Sequence, residues 1–235
     1  IYYKINYRKW TSRTNKVRNY EEFTKMTNLK NDIVRASKKT LDLGLNCGSE
    51  GNVSVRRKDT VFITPSGIET DSLNESLISE VDINGHVKNN KKPSSEILMH
   101  LYIYRNRPEI SSIVHCHSIW ASILSCSRKK IPSFHYMVAE FGGNDIKCAE
   151  YATFGTRKLA NNVLKVLKDR NGCLISNHGQ LTVANNLKDA LNLAFSLEKL
   201  SKQYYFCSFL KSNKILSGKE MLKVLELFKD YKAKH

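Results

Sequence analysis

The sequence predicts an α/β protein built as one domain. Two kinds of hydrophobic pattern alternate along the chain instead of segregating: apolar residues at three- and four-residue steps, and short period-two runs bounded by turn residues. With 235 residues and 41% apolar content the chain can bury one sizeable core, and neither an internal repeat nor a long linker divides it. No apolar run approaches the roughly 20 residues of a membrane span.

From about Tyr20 to Leu45, apolar positions such as Phe23, Met26, Leu29, Ile33, Val34 and Leu41 recur in helical step, which predicts one or two amphipathic helices ending near Gly44. Gly48 to Asn52 reads as a small-residue turn feeding a strand at Val53-Ser54-Val55, and Thr60 to Ile63 as its hairpin partner. Thr64-Pro65-Ser66-Gly67 is a second turn. A further strand is expected around Leu77 to Ile83, with a turn at Asn84-Gly85. Pro93-Ser94-Ser95-Glu96 precedes Ile97, Leu98, Leu101, Tyr102 and Tyr104, so a serine can cap a helix with Glu96 in its first turn. Ile113 to His117 reads as a strand and Trp120 to Leu124 as a short helix. Thr156 to Lys168 is an amphipathic helix, Cys173 to Ser176 a buried strand, Lys188 to about Leu210 a long helix, and Met221 to Phe228 helical again.

The charge invites a nucleic-acid function but does not sustain it. The net charge is +16, yet residues 1–40 hold 11 Lys and Arg against 3 acids and residues 199–235 hold 9 against 3, leaving the middle at 18 against 16. The excess lies at the two ends, away from the motifs, and nucleic acid is not an expected partner. The six cysteines show neither CxxC pairing nor framework spacing, which suits reduced thiols. With no apolar core of signal-peptide length near Ile1, the expected compartment is the cytoplasm.

The chemistry centres on Val114-His115-Cys116-His117. On a strand, His115 and His117 point to one face and Cys116 to the other, so Cys116 is read as core. Alone, such a pair is an ordinary surface pattern. With His178, in Ser176-Asn177-His178-Gly179, and Glu96 it makes a three-histidine, one-carboxylate set suited to zinc or another borderline divalent ion. The glycine turns and the serine-led helix start could offer backbone amides and hydroxyls to an anion, although each is also a common loop composition.

Together these segments resemble the class II aldolase and adducin family, and within it the L-fuculose-1-phosphate aldolases. The resemblance runs from about residue 30 to the C-terminus. It is carried by Gly51 to Arg56, Ile63 to Ile68, Pro93 to Glu96, Val114 to His117, Ile131 to Met137, Gly142 to Ile146, Tyr151 to Arg157 and Asn177 to Gly179. It implies a three-layer α/β sandwich, with a central mixed, mostly antiparallel sheet flanked by helices, in a single catalytic domain over residues 26–235. Residues 1–25 form a basic extension without a recognised counterpart. It also implies a homotetramer with sites between subunits and one zinc ion per subunit held by His115, His117, His178 and Glu96, the last doubling as acid/base. Gly51, Asn52, Ser66, Gly67, Ser94 and Ser95 match phosphate-binding positions. Tyr136 matches a proton donor contributed by a neighbouring subunit, Tyr231 a tyrosine that closes the site, and Phe154 an aromatic residue on the aldehyde side. Cys116, where the family pattern has Asn, and Asn177, where some relatives have His, are departures that remove no ligand.

The implied activity is zinc-dependent cleavage of a ketose 1-phosphate, of the L-fuculose 1-phosphate type, to dihydroxyacetone phosphate and an aldehyde. Rivals within the fold are an aldolase for a deoxyribulose phosphate, a ribulose-phosphate epimerase and a methylthioribulose-phosphate dehydratase. A metal-free adducin-like binding module is the rival from another class, and it has no need of the four ligand residues.

Overall fold

Strands form where β-branched and apolar residues alternate, and helices where apolar residues recur every turn. The computed structural model describes residues 26–210 and 214–234, with 229–234 described by backbone alone; the basic segment 1–25 lies outside the described residues. Helix α1 covers residues 26–42. It is followed by β1 (Asn52–Arg57), β2 (Thr60–Ile63), β3 (Ser79–Asp82), α2 (Ile97–Asn106), β4 (Ser112–Cys116), α3 (Ile119–Cys126), β5 (Ile131–Pro132), β6 (Asp145–Ile146), β7 (Cys148–Ala149), α4 (Arg157–Leu167), β8 (Gly172–Ile175), β9 (Gly179–Ala184), α5 (Leu187–Ser208) and α6 (Gly218–Lys234). Seven strands make one sheet in the order β3-β2-β1-β4-β9-β8-β7. Every neighbouring pair is antiparallel except β7 with β8. The sheet is therefore mixed and mostly antiparallel, as expected.

Helices cover both faces. On one, α2 and α4 bury Met99, Leu101, Ile103, Leu159, Val163 and Leu167 against Ile113 of β4 and Leu181 and Val183 of β9. On the other, α1 and α5 pack on Val114 and Cys116 of β4, and α3, α5 and α6 enclose a third cluster with Leu174 of β8. Each fully buried Leu, Ile or Val contributes about 2 kcal/mol. Period-two alternation along β4 thus sends Cys116 into the core, fully buried, away from the face of His115. The helices start where the chain supplies caps: Thr156 Oγ1 accepts from Leu159 N at 3.2 Å, and Asn186 Oδ1 from Asp189 N at 2.8 Å.

Two expectations need correction, and one strand escapes the sequence pattern. The strand expected around Leu77 to Ile83 is only β3, because Glu75–Leu77 is a 3-10 turn whose Asn74 side chain accepts from Ser76 N. Glu96 is the N-cap residue of α2, one place before its first turn; Ser94 Oγ accepts from Glu96 N at 3.2 Å, so the serine braces the approach to the helix and not its ladder. Strand β9 was not anticipated. Its Gln180 and Thr182 are polar yet fully buried, with Gln180 Nε2 donating to Ser118 Oγ at 2.6 Å and Thr182 Oγ1 to Ala190 O at 2.8 Å.

Candidate metal centre and active site

The site lies where the central strands end. Pairing of β1, β4 and β9 sets Asn52 opposite His115 and His115 opposite Leu181, while the β8–β9 turn returns His178 to the same rim. That turn needs Asn177 at φ 53°, a left-handed conformation that Asn tolerates, and its Oδ1 accepts from Arg128 Nε at 2.8 Å. Two glycines make the crowding possible. A Cβ on Gly51, at φ 67°, would lie 2.5 Å from the His115 carbonyl oxygen, and one on Gly179 would lie 2.3 Å from that of Cys116.

The four residues singled out as metal ligands converge. The ligand atoms of Glu96, His115, His117 and His178 all lie within 4.8 Å of one another. Nε2 of His117 is 3.1 Å from that of His115 and 3.0 Å from that of His178, and Glu96 Oε2 is 3.0 Å from His115 Nε2. Three imidazole nitrogens that face one another so closely want a cation between them. Glu96 Oε1 supports the same reading: it is buried without a hydrogen-bond partner and lies 3.5 Å from His178 Nε2. His115 Nδ1 donates to Gln180 O at 2.7 Å, the outer contact that turns Nε2 toward an ion. Asn46 Oδ1 accepts from His117 N at 2.9 Å and holds the chain just past β4. The donor set fits a borderline divalent metal.

Packing these groups together shifts their titration. Burial and the charge of His115 push His117 down to about 3 and His178 down to about 4, leaving both neutral. Burial also works against ionised Glu96 and protonated His115, but their mutual attraction and hydrogen bond outweigh it, so the carboxyl is held far below its usual range and His115 is raised.

A cleft of about 490 Å³ opens above the cluster. All seven residues expected to bind substrate line it: Gly51, Asn52, Ser66, Gly67, Ser94, Ser95 and Phe154, together with Glu96, His117 and His178. Asn52 also turns its amide inward, with Nδ2 donating to Glu96 Oε2 at 3.0 Å. Tyr136 is not brought to this cleft; it is half exposed and stacked on His135, with centroids 4.9 Å apart. The Tyr231 side chain lies outside the described residues. Sequence reasoning missed Tyr151, whose ring lines the cleft beneath Arg128, 5.7 Å from its centroid. It also passed over His100, fully buried one helical turn after Glu96, with Nε2 2.6 Å from Asn52 Oδ1.

An α/β enzyme with a three-histidine, one-carboxylate centre beneath a polar cleft is the class these features define. Residues 31–205 match the family of the Class II Aldolase and Adducin N-terminal domain. The chain is 40% identical over 203 residues to the 5-methylthioribulose-1-phosphate/5-deoxyribulose-1-phosphate aldolase of Rhodospirillum rubrum, covering 86% of this chain and 92% of that protein. It is 43% identical over 190 residues to the L-fuculose phosphate aldolase of Escherichia coli, covering 80% and 88%. A solved L-fuculose 1-phosphate aldolase superposes with a TM-score of 0.84 at 38% identity, covering 86% and 97%. The chain belongs to the class II aldolase and adducin family, and its aldolase relatives make it a lyase.

Proposed function

We propose that this protein is a zinc-dependent aldolase that cleaves a ketose 1-phosphate of the L-fuculose 1-phosphate type to dihydroxyacetone phosphate and an aldehyde. The observation that carries the reading is the cluster of four ligand atoms at the floor of a cleft whose walls are glycine and serine turns. His115, His117 and His178 would hold the ion with Glu96, and the ion would supply Lewis acidity toward the ketone oxygen. Gly51, Asn52, Ser66, Gly67, Ser94 and Ser95 offer amides and hydroxyls to the phosphate, fixing the reacting carbons over Glu96. In the synthetic direction Glu96, as carboxylate, takes a proton from the carbon that becomes the nucleophile. That carbon bonds to the aldehyde carbon, and the phenol of Tyr136 of a neighbouring subunit donates its proton to the aldehyde oxygen; cleavage runs the same steps backwards, starting with Tyr136 as phenolate and Glu96 as carboxylic acid. Tyr231 is proposed to close the site and Phe154 to line its aldehyde side.

An assembly of copies, proposed as a homotetramer, is supported by exposed aromatic surface on α3 and α5, where Trp120 packs on Tyr205 and Phe206 beside the exposed Phe209. A cytoplasmic setting is supported by six free cysteines. Among the described residues no helix is long and apolar enough to cross a membrane. The proposed organisation is one catalytic domain over residues 26–235 after a basic extension.

A second substrate reading has its own support. The rim at Tyr151 and Phe154 is aromatic, which suits the apolar end of 5-deoxyribulose or methylthioribulose 1-phosphate, and a relative bearing those names aligns over most of both chains. A coupled assay for dihydroxyacetone phosphate with L-fuculose, 5-deoxyribulose and methylthioribulose 1-phosphates separates the two: fastest release from fuculose 1-phosphate is expected. Faster release from a ribulose derivative moves the assignment to the second reading, and no release from any overturns both.

A further inference from the structure

Glu96 is tied to the interior by buried hydrogen bonds that the metal and phosphate roles do not use. Its Oε2 accepts from Asn52 Nδ2 at 3.0 Å. Asn52 Oδ1 is thereby left as an acceptor and meets His100 Nε2 at 2.6 Å. A neutral His100 that donates from Nε2 must accept at Nδ1, where Ser54 Oγ lies at 2.7 Å. Ser54 Oγ is in turn 2.8 Å from Tyr104 Oη. Each assignment forces the next, so the donors point one way from Ser54 through His100 and Asn52 to Glu96, while the Tyr104 hydroxyl, which also faces the backbone oxygens of Ser54 at 3.1 Å and Ser111 at 3.4 Å, braces the far end. His100 and Ser54 are fully buried and Tyr104 nearly so, so water offers no competing partner and the bonds reinforce one another.

We infer that His100 is a positioning residue: its Nε2–H fixes the Asn52 amide with Nδ2 toward Glu96, and so holds the carboxylate with Oε2 engaged and Oε1 left unpaired beside His178. Without that donor the Asn52 amide can turn its oxygen toward Glu96, which repels the carboxylate and loosens it at the metal and in proton transfer. The kinetic part of this inference rests on the aldolase reading; the metal-binding part does not.

The experiment compares His100→Gln with His100→Asn. Glutamine reaches the Nε2 position and can still donate to Asn52, whereas asparagine reaches only the Nδ1 position. For each variant, zinc affinity is measured by competition with a chromophoric chelator, alongside kcat and KM. His100→Asn is expected to lose about 10- to 100-fold in zinc affinity or kcat, with KM nearly unchanged, and His100→Gln to recover most of the loss. Equal behaviour of the two, impaired or unimpaired, overturns the inference, because a side chain that only fills space would not separate them. If neither variant folds, Ser54→Ala decides: it frees His100 to adopt the other tautomer and should weaken zinc binding severalfold, and unchanged affinity overturns the inference. If the wild-type protein releases no dihydroxyacetone phosphate, the aldolase reading fails while the zinc measurements still decide the role of His100.

Discussion

Glu96 carries two duties on one carboxylate, and the geometry divides them between its oxygens. Oε2 is held by Asn52 and His115, while Oε1 is buried and unpaired. Glu96→Gln keeps the shape but removes the exchangeable proton and the charge. Its cleavage rate is expected to fall by at least about 100-fold while metal analysis still finds the ion bound through three histidines; full activity with bound metal would show that Glu96 moves no proton. A different residue tests how the site is framed. Gly51→Ala introduces a Cβ 2.5 Å from the His115 carbonyl oxygen at a left-handed φ. It should cost about 2–4 kcal/mol, seen in chemical denaturation. A change under about 0.5 kcal/mol would mean that the close approach of this turn to β4 is not needed.

At the scale of elements, legibility followed chemistry more than periodicity. The His115-Cys116-His117 pattern was readable because strand alternation fixes which side chains share a face, and the burial of Cys116 on the opposite face bears that out. Helices α4 and α5 were readable because their buried positions repeat at helical spacing. Strand β9 was not, because its inward residues include Gln180 and Thr182, whose hydrogen bonds to Ser118 and to α5 exist only in the fold. His100 stayed hidden among the apolar residues of α2 for the same reason. The short strands β5 and β6 depend on another contact no local pattern announces: Asp145 meets Arg170 Nη2 at 2.9 Å and Lys130 Nζ at 3.0 Å. Burial alone would raise the Asp145 carboxyl, but these bonds outweigh it and hold it below the usual carboxylate range. A carboxyl lowered on folding stabilises above its unfolded pKa of about 3.9 and loses that contribution as pH falls through the folded value. Asp145→Asn should therefore lower Tm by about 5 °C at neutral pH, with the gap from wild type closing as the pH falls below about 4. A gap independent of pH would assign the loss to packing and not to charge.

The whole molecule presents a site that a single chain does not complete as proposed. Tyr136 is half exposed and lies away from the cleft of its own chain, so its proposed role requires a second copy. Mixing Glu96→Gln subunits with Tyr136→Phe subunits and reassembling them should yield sites that pair an intact Glu96 with an intact Tyr136, and activity should return above that of either parent. No recovery in mixed assemblies would remove Tyr136 from the reaction between subunits. Four convergent ligands are proposed to make this fold a metal-dependent aldolase, and metal titration of the stripped protein decides whether they do. Dihydroxyacetone phosphate release from a ketose 1-phosphate should be absent after chelation and should rise with added zinc to a plateau at one ion per chain. Full release by the metal-free protein would contradict that proposal.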